Sequence, residues 1–302
     1  MQVPASFQYR KATSVEHALA LLRDYGPEAA VVAGGHSLLP MMKLRLAHPE
    51  ALIDINDLSE LAGIRVEGRG EDGGQGSGED GELVIGAMAR HADLLASAEA
   101  GRHFPILHDA ERVIADPIVR NRGTVGGSLC QADPSEDLSA VFAALRATLV
   151  VHSLDDDGVG TRRVPARDFF VGPYQTVLAD GELLGEIRVP ITGSASAYLK
   201  VDRRAGDWAV GAVGAVVTIA DGVIGEAGIG LTALGAKRFV AAEAEDHLRG
   251  GPPAEERLAE AGRIAAEHCR PAADQRGPVE YKRHLAGELV TRALRRALGR
   301  VG

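Results

Sequence analysis

Cysteine is nearly absent from this chain. Of 302 residues only Cys130 and Cys269 are thiols, too few to ligate an iron–sulfur cluster or to build a disulfide framework. If the protein moves electrons, such clusters sit on another chain. Long apolar runs are missing too: no stretch reaches the length of a membrane helix, and the opening MQVPASFQYRKATS has no apolar core of signal-peptide length. These two features predict a cytoplasmic protein without a membrane span. Positive charge is not in excess. The formal net charge is −9, which argues against nucleic acid or an anionic membrane surface as partner. The dinucleotide fingerprint G-x-G-x-x-G and the phosphate-loop signature are both absent, and the histidines show no metal-ligand spacing with cysteine or acidic residues. No catalytic acid–base pair stands out.

Glycine is what the chain does have, in two clusters. Ala33-Gly34-Gly35-His36-Ser37 follows the apolar pair Val31-Val32, and Thr124-Val125-Gly126-Gly127-Ser128 lies within RNRGTVGGSLCQADPSED, Arg120 to Asp137. Both read as tight turns whose backbone N–H groups converge on an anion, because glycine reaches positive φ without strain and lets a ligand approach the main chain. Two such turns in one domain could grip the two phosphates of a dinucleotide from both sides. Cys130 reads as a small buried residue packed behind the second turn.

The length allows two domains. Thr13 reads as a helix cap with Glu16 three residues on. Val15, Ala18, Leu19 and Leu22 share one face, and Gly26 stops the helix. A strand at 31–33 delivers the first glycine cluster, a short helix leaves it over 37–45, and a strand at 51–55 closes a β-α-β unit. Strands follow at 61–67 and 83–90. Between them, the acidic glycine-rich segment 68–81 reads as a flexible surface loop. Helices are predicted at 91–97 and 104–115, the latter stopped by Asp116-Pro117, then at 136–147, with a strand from Leu149 and a turn at 155–158. This predicts an α/β-type domain over 1–176, in two lobes of about 1–57 and 58–176. The remainder, 177–302, is predicted as an antiparallel sheet backed by helices: strands at 183–189, 197–202, 210–220 and 223–233, with Asp221-Gly222 as the hairpin turn between the last two, then helices at 238–249, 253–268 and 279–298. The fold class is α+β.

Three ordered segments carry a resemblance over nearly the whole chain: VVAGGHSLLPMMKLR (Val31 to Arg45), RNRGTVGGSLCQADPSED, and KVDRRAGDWAV (Lys200 to Val210). With them the sequence resembles the FAD-binding medium subunits of molybdenum hydroxylases, most closely those of carbon monoxide dehydrogenase. The resemblance implies a two-lobed FAD-binding domain of the vanillyl-alcohol oxidase type, a C-terminal domain of the carbon monoxide dehydrogenase flavoprotein type, and non-covalent FAD. It implies that Val32, Ala33, Gly34, Gly35, His36 and Ser37 wrap the diphosphate with Leu38 alongside. Thr124, Val125, Gly126, Gly127 and Ser128 approach it from the second lobe. Asp137 accepts a ribose hydroxyl, or it is simply an acid favoured at a helix N-terminus. Lys200 lies near the flavin, or is an edge-strand lysine in solvent. Leu184 packs on the adenine or flavin edge. Trp208, the one tryptophan, stands where the family often has tyrosine, and lies over the flavin or is a core anchor. His36 takes a capping or supporting role, while Arg120, Arg122, Arg203 and Arg204 are basic points near the site.

By the same resemblance, a large subunit carries the molybdenum cofactor and a small subunit carries [2Fe-2S] clusters, in a dimer of heterotrimers. This chain passes their electrons to an acceptor. The substrate is open among carbon monoxide, aldehydes, purines and N-heterocycles. The alternative is a stand-alone flavin oxidoreductase of the same fold acting directly on a small substrate.

Overall fold

The computed structural model describes residues 3–68, 81–235 and 239–301. The predicted loop 68–81 therefore lies, apart from its two end residues, outside the described residues, as does the predicted helix start at 238.

The first lobe holds β1 (Gln8–Lys11), α1 (Val15–Tyr25), β2 (Ala29–Val32), α2 (Leu38–Lys43) and β3 (Ala51–Asp54). The strands form one parallel sheet in the order β1-β3-β2. Strand β1 has no counterpart in the sequence reading, because all four of its residues are exposed and show no alternation. Helix α1 buries Ala18, Leu19 and Leu22 as its periodicity predicts. Its cap is Ser14 rather than Thr13: the Ser14 hydroxyl accepts from the His17 N–H. Putting β2 at a parallel sheet's edge delivers the first glycine cluster at the carboxyl end of a strand, where α/β sheets place ligands.

The second lobe contains β4 (Ile64–Glu67), β5 (Glu82–Gly86), α3 (His91–Ala96), α4 (Ala98–His103), α5 (Pro105–Glu111), α6 (Pro117–Arg120), α7 (Val125–Gln131) and α8 (Asp137–Ala144). It continues with β6 (Thr148–Asp155), β7 (Gly158–Pro165), α9 (Ala166–Phe169), the small β8 (Phe170–Gly172) and β9 (Gln175–Thr176), and β10 (Leu183–Pro190). The predicted helix 104–115 is α5, which begins with Pro105 at its first turn and already ends at Glu111, and α4 has no counterpart in the sequence reading. Strand β10 corrects the predicted boundary. It lies at the centre of an antiparallel sheet ordered β4-β5-β10-β6-β7, bonded to β5 on one side and β6 on the other. The first domain's sheet therefore runs to Pro190, beyond residue 176.

The rest is β11 (Ala195–Val201), β12 (Gly211–Ala220), β13 (Val223–Thr232), α10 (Ala242–Leu248), α11 (Glu255–His268) and α12 (Val279–Leu298). The three strands form an antiparallel meander. Asp221 and Gly222 both have positive φ, the backbone a two-residue hairpin turn needs. Helix α12 turns Leu285, Ala286, Leu289, Val290, Ala293, Leu294 and Ala297 inward and packs on β11 and β12. The two domains meet closely. Helix α8, buried along its whole length, lies on β12 and β13. A Cβ at Gly228 or Gly230 would stand 2.1 Å or 2.0 Å from the carbonyl oxygens of Ala144 and Ala140, so glycine is what allows the sheet to touch the helix backbone. One apolar core runs from Leu83 and Phe142 to Tyr198 and Val216, across both domains.

Candidate functional site

The two glycine clusters meet. Gly34 lies so close to the second segment that a Cβ there would be 2.5 Å from the Arg122 carbonyl oxygen, and a Cβ at Gly127 would come within 3.9 Å of the Ala33 side chain. Arg90 ties the lobes beside this point, donating to Asn56 Oδ1 at 2.9 Å and to the Arg122 carbonyl. Asn56 in turn donates to Asp54 Oδ1 at 2.7 Å.

The first cluster is a turn, as predicted. Gly35 has φ +76°, a conformation that glycine adopts freely. Among the described residues the N–H groups of Gly34, Gly35, His36, Ser37 and Leu38 have no acceptor within the chain. They are the free donors of a loop leading into α2.

The second cluster is not a turn. Val125, Gly126 and Gly127 form the first turn of α7, and Thr124 is its cap. Its N–H groups are already used: Val125 donates to the Ala89 carbonyl, Gly126 to Ala87, Gly127 to Thr124 Oγ1 at 3.1 Å, and Ser128 to the Thr124 carbonyl. Gly126 is required for packing, since a Cβ there would lie 2.6 Å from the Ala87 side chain. The expected convergence of main-chain donors from both lobes is therefore one-sided. The first cluster offers N–H groups, and the second offers a flat glycine wall with the hydroxyls of Thr124 and Ser128.

Both clusters line one cavity of about 550 Å³, a size suited to a bound small molecule or cofactor. The residues expected at the cofactor all line it except Val32 and Val125; of the four arginines expected nearby none does, Arg120 bonding the Ile114 and Ala115 carbonyls and Arg203 and Arg204 pairing with Asp207. Val32 is held in the sheet opposite Asp54, and Val125 is fully buried in the core. His36 is exposed and makes no capping bond; Ser37 occupies the cap position of α2. Leu184 reaches the wall from a register shift in β10. Trp208 is 43% exposed at the cavity. Cys130 corrects the buried reading. Its surface opens to the cavity.

A buried charge network forms the floor. Lys200 is neither solvated nor free: its side chain is 2% exposed, and its Nζ donates to Asp137 Oδ2 at 2.8 Å and to the Val113 carbonyl at 3.1 Å. Asp137 Oδ1 accepts from the Tyr198 hydroxyl at 2.6 Å. Burial raises the Asp137 carboxyl, and Lys200 and Tyr198 partly offset it. The neighbouring Glu136 caps α8, accepting from the Leu138 N–H at 2.6 Å, the Ser139 N–H at 2.8 Å and the Ser139 hydroxyl. Burial still pushes it up to about 7.

His91 and Glu111 were not singled out from the sequence. The His91 Nδ1 lies 3.1 Å from both Glu111 carboxylate oxygens, and its Nε2 lies 3.0 Å from Ser128 Oγ. Glu111 did leave a signal. It falls on the inward face of α5 with Leu107 and Ala110, and an acid at an apolar-periodic position needs a buried partner. Among the described residues no group of three His, Cys, Asp or Glu side chains could hold a metal ion, and no helix is long and apolar enough to cross a membrane.

Comparison with known proteins fits this geometry. Residues 5–192 match the family model for the FAD binding domain in molybdopterin dehydrogenase, and residues 196–297 match that for the CO dehydrogenase flavoprotein C-terminal domain. The chain is 40% identical over 300 residues to the carbon monoxide dehydrogenase medium chain of Hydrogenophaga pseudoflava, covering 99% of each. It is 36% identical to the 6-hydroxypseudooxynicotine dehydrogenase complex subunit alpha of Paenarthrobacter nicotinovorans, over 98% of this chain and 96% of that one. Among solved structures, carbon monoxide dehydrogenase from Hydrogenophaga pseudoflava superposes with a TM-score of 0.90 at 41% identity, covering 99% of this chain and 100% of that one. Quinoline 2-oxidoreductase from Pseudomonas putida 86 superposes at 0.86 and 32% identity, with the same coverage. Fold and cavity thus define a two-lobed α+β flavoprotein. The chain belongs to the FAD-binding medium subunits of the molybdenum hydroxylases.

Proposed function

We propose that this chain holds FAD, without a covalent bond, in the cavity between its two lobes, and serves as the electron-output subunit of a heteromeric molybdenum dehydrogenase. The observation that carries the reading is the run of unpartnered N–H donors from Gly34 to Leu38, facing the glycine wall of α7 across one cavity. Those donors suit a diphosphate, which needs several convergent hydrogen bonds and little side-chain bulk. Gly127 keeps the opposite wall flat, and the Thr124 and Ser128 hydroxyls supply further polar contacts. Asp137 retains acceptor lone pairs for a ribose hydroxyl. Leu184 gives an apolar surface and Trp208 an aromatic one at the cavity mouth. FAD, when bound, accepts and gives electrons one or two at a time. The chain's contribution is to hold it, exclude water and fix the charge around it.

The proposed partners are a large subunit with the molybdenum cofactor and a small subunit with [2Fe-2S] clusters, in a dimer of heterotrimers. Carbon monoxide is the proposed substrate, from the whole-length likeness to two carbon monoxide dehydrogenase medium chains at 40% and 38% identity. Two free thiols fit a reducing compartment, and we place the complex in the cytoplasm. Purifying the tagged chain from its own cells tests this. The expected product is a three-chain complex containing molybdenum, iron and FAD that reduces a dye with carbon monoxide. A flavin-bearing chain that purifies alone and oxidises a small substrate would overturn the subunit reading in favour of a stand-alone oxidoreductase. A complete complex inert to carbon monoxide would overturn the substrate alone.

A further inference from the structure

Ser128, His91 and Glu111 make a continuous hydrogen-bonded line from the cavity wall into the protein. Ser128 is half-buried and lines the cavity. Behind it His91 is 3% exposed, and behind His91 is Glu111, fully buried. The distances are 3.0 Å from Ser128 Oγ to Nε2 and 3.1 Å from Nδ1 to each Glu111 oxygen. The line is also held rigidly. Gly123 leaves room for the imidazole, where a Cβ would lie 2.9 Å from the ring, and its carbonyl accepts from the His91 N–H. Nothing in cofactor binding alone requires a buried imidazole–carboxylate pair, and burying one is costly unless both groups are satisfied.

We propose that this line is a proton relay, in which the His91–Glu111 pair stores a proton and Ser128 passes it to a basic atom of the cofactor in the cavity. The proposal rests on the flavin assignment above. His91 acts through Ser128 and is a positioning residue; Ser128 is the group that touches the cofactor. FAD, once reduced in the holoprotein, would supply a more basic atom within reach of Ser128. Ser128 then gives it the hydroxyl proton and takes the Nε2 proton of His91. The acceptor atom gains the proton as the Ser128 O–H breaks, that O–H re-forms as the Nε2–H of the His91 imidazolium breaks, and His91 is left a neutral imidazole still donating Nδ1–H to Glu111. Reoxidation reverses the transfer.

The surroundings favour a stored proton. Burial opposes charge on His91, but Glu111 outweighs it, and the imidazole lies above its usual range. Burial raises Glu111, against the pull of His91. The other charged groups facing it are Glu136 and Asp137 at the start of α8, Lys200 on β11, bound to Asp137, and Arg120 on α6, bound to the Ile114 carbonyl. On α4, Glu99, Arg102 and His103 pair with one another at the surface.

The test uses the full chain with its bound FAD. Its midpoint potential is followed from about pH 5 to about pH 9, and its reduction by dithionite is timed in H2O and D2O. The wild type should show a bend in potential against pH and a solvent isotope effect. H91Q combined with E111Q removes the titrating pair without stranding a charge, and should abolish the bend. In the S128A molecules that carry FAD, the bend should remain and reduction should slow by about a hundredfold. A bend that persists in the double variant, or S128A reducing at the wild-type rate with the wild-type isotope effect, would overturn the relay. S128A decides the matter even if the double variant does not fold. A wild-type chain without FAD contradicts the flavin assignment itself, which its spectrum reveals before any variant is compared.

Discussion

Glu136 and Asp137 are sequence neighbours with different work. Glu136 closes the N-terminus of α8 with both oxygens and is pushed up to about 7 by burial, from an ordinary 4.5. An acid whose folded value is raised favours the folded state while protonated. Its contribution is therefore fully present below about pH 4.5 and lost as pH climbs through about 7. Glu136→Gln keeps a capping oxygen and should flatten that part of the stability profile, worth on the order of 2 kcal/mol; urea midpoints across this range would show it, and parallel profiles for both proteins would contradict it. Asp137 instead holds Lys200. Lys200→Met strands the carboxylate and should cost about 3–5 kcal/mol, most of it recovered by adding Asp137→Asn. If the single variant is as stable as the wild type, the buried pair carries no weight. The family likeness pointed to Asp137, Lys200, Ser128 and Trp208, and all four line the cavity. It did not reveal that Asp137 and Lys200 bind each other, because β11 and α8 come together only through tertiary packing. Nor did it reveal His91, which carries no local motif.

Among the elements, strongly periodic helices such as α1, α11 and α12 were legible, because one apolar stripe fixes both the element and its inward face. Helix α7 was not. A Gly-Gly pair is a poor helix former, but the Thr124 cap and the buried pair Val125 and Leu129, one turn apart, prevail over that preference. Strand β10 read correctly as a strand and wrongly as part of the second domain, since a local pattern does not name an antiparallel partner. The helix that glycine permits is also what glycine protects. Gly127→Val would push on the Thr124 hydroxyl, 2.6 Å from the new Cβ, and roughen the cavity wall. The purified variant should lose FAD while keeping its far-ultraviolet helix signal; full retention of FAD would contradict the role given to α7. At the domain contact, Gly230→Ala drives a methyl group to 2.0 Å from the Ala140 carbonyl and should destabilise the chain by about 3 kcal/mol, read from its denaturation midpoint.

For the molecule as a whole, the shared core is decisive. Because one apolar cluster spans both domains, and Lys200 and Trp208 reach the cavity from the second domain while the glycine clusters belong to the first, the site is complete only when the two are docked. Flavin release and loss of helix should therefore occur at the same urea concentration; an earlier release would mean a site that opens independently. The net charge of −9 and the scarcity of cysteine are whole-chain properties that sequence alone establishes. The scarcity of cysteine leaves cluster chemistry to other subunits. The central claim is that the cavity between the lobes holds FAD without a covalent bond. It is tested most directly by the absorption spectrum of the purified chain before and after acid precipitation, with the supernatant separated by chromatography. A flavin spectrum and about one FAD per chain released into the supernatant is the predicted result. A colourless chain that takes up no added FAD, or a flavin that stays with the precipitate, would contradict it.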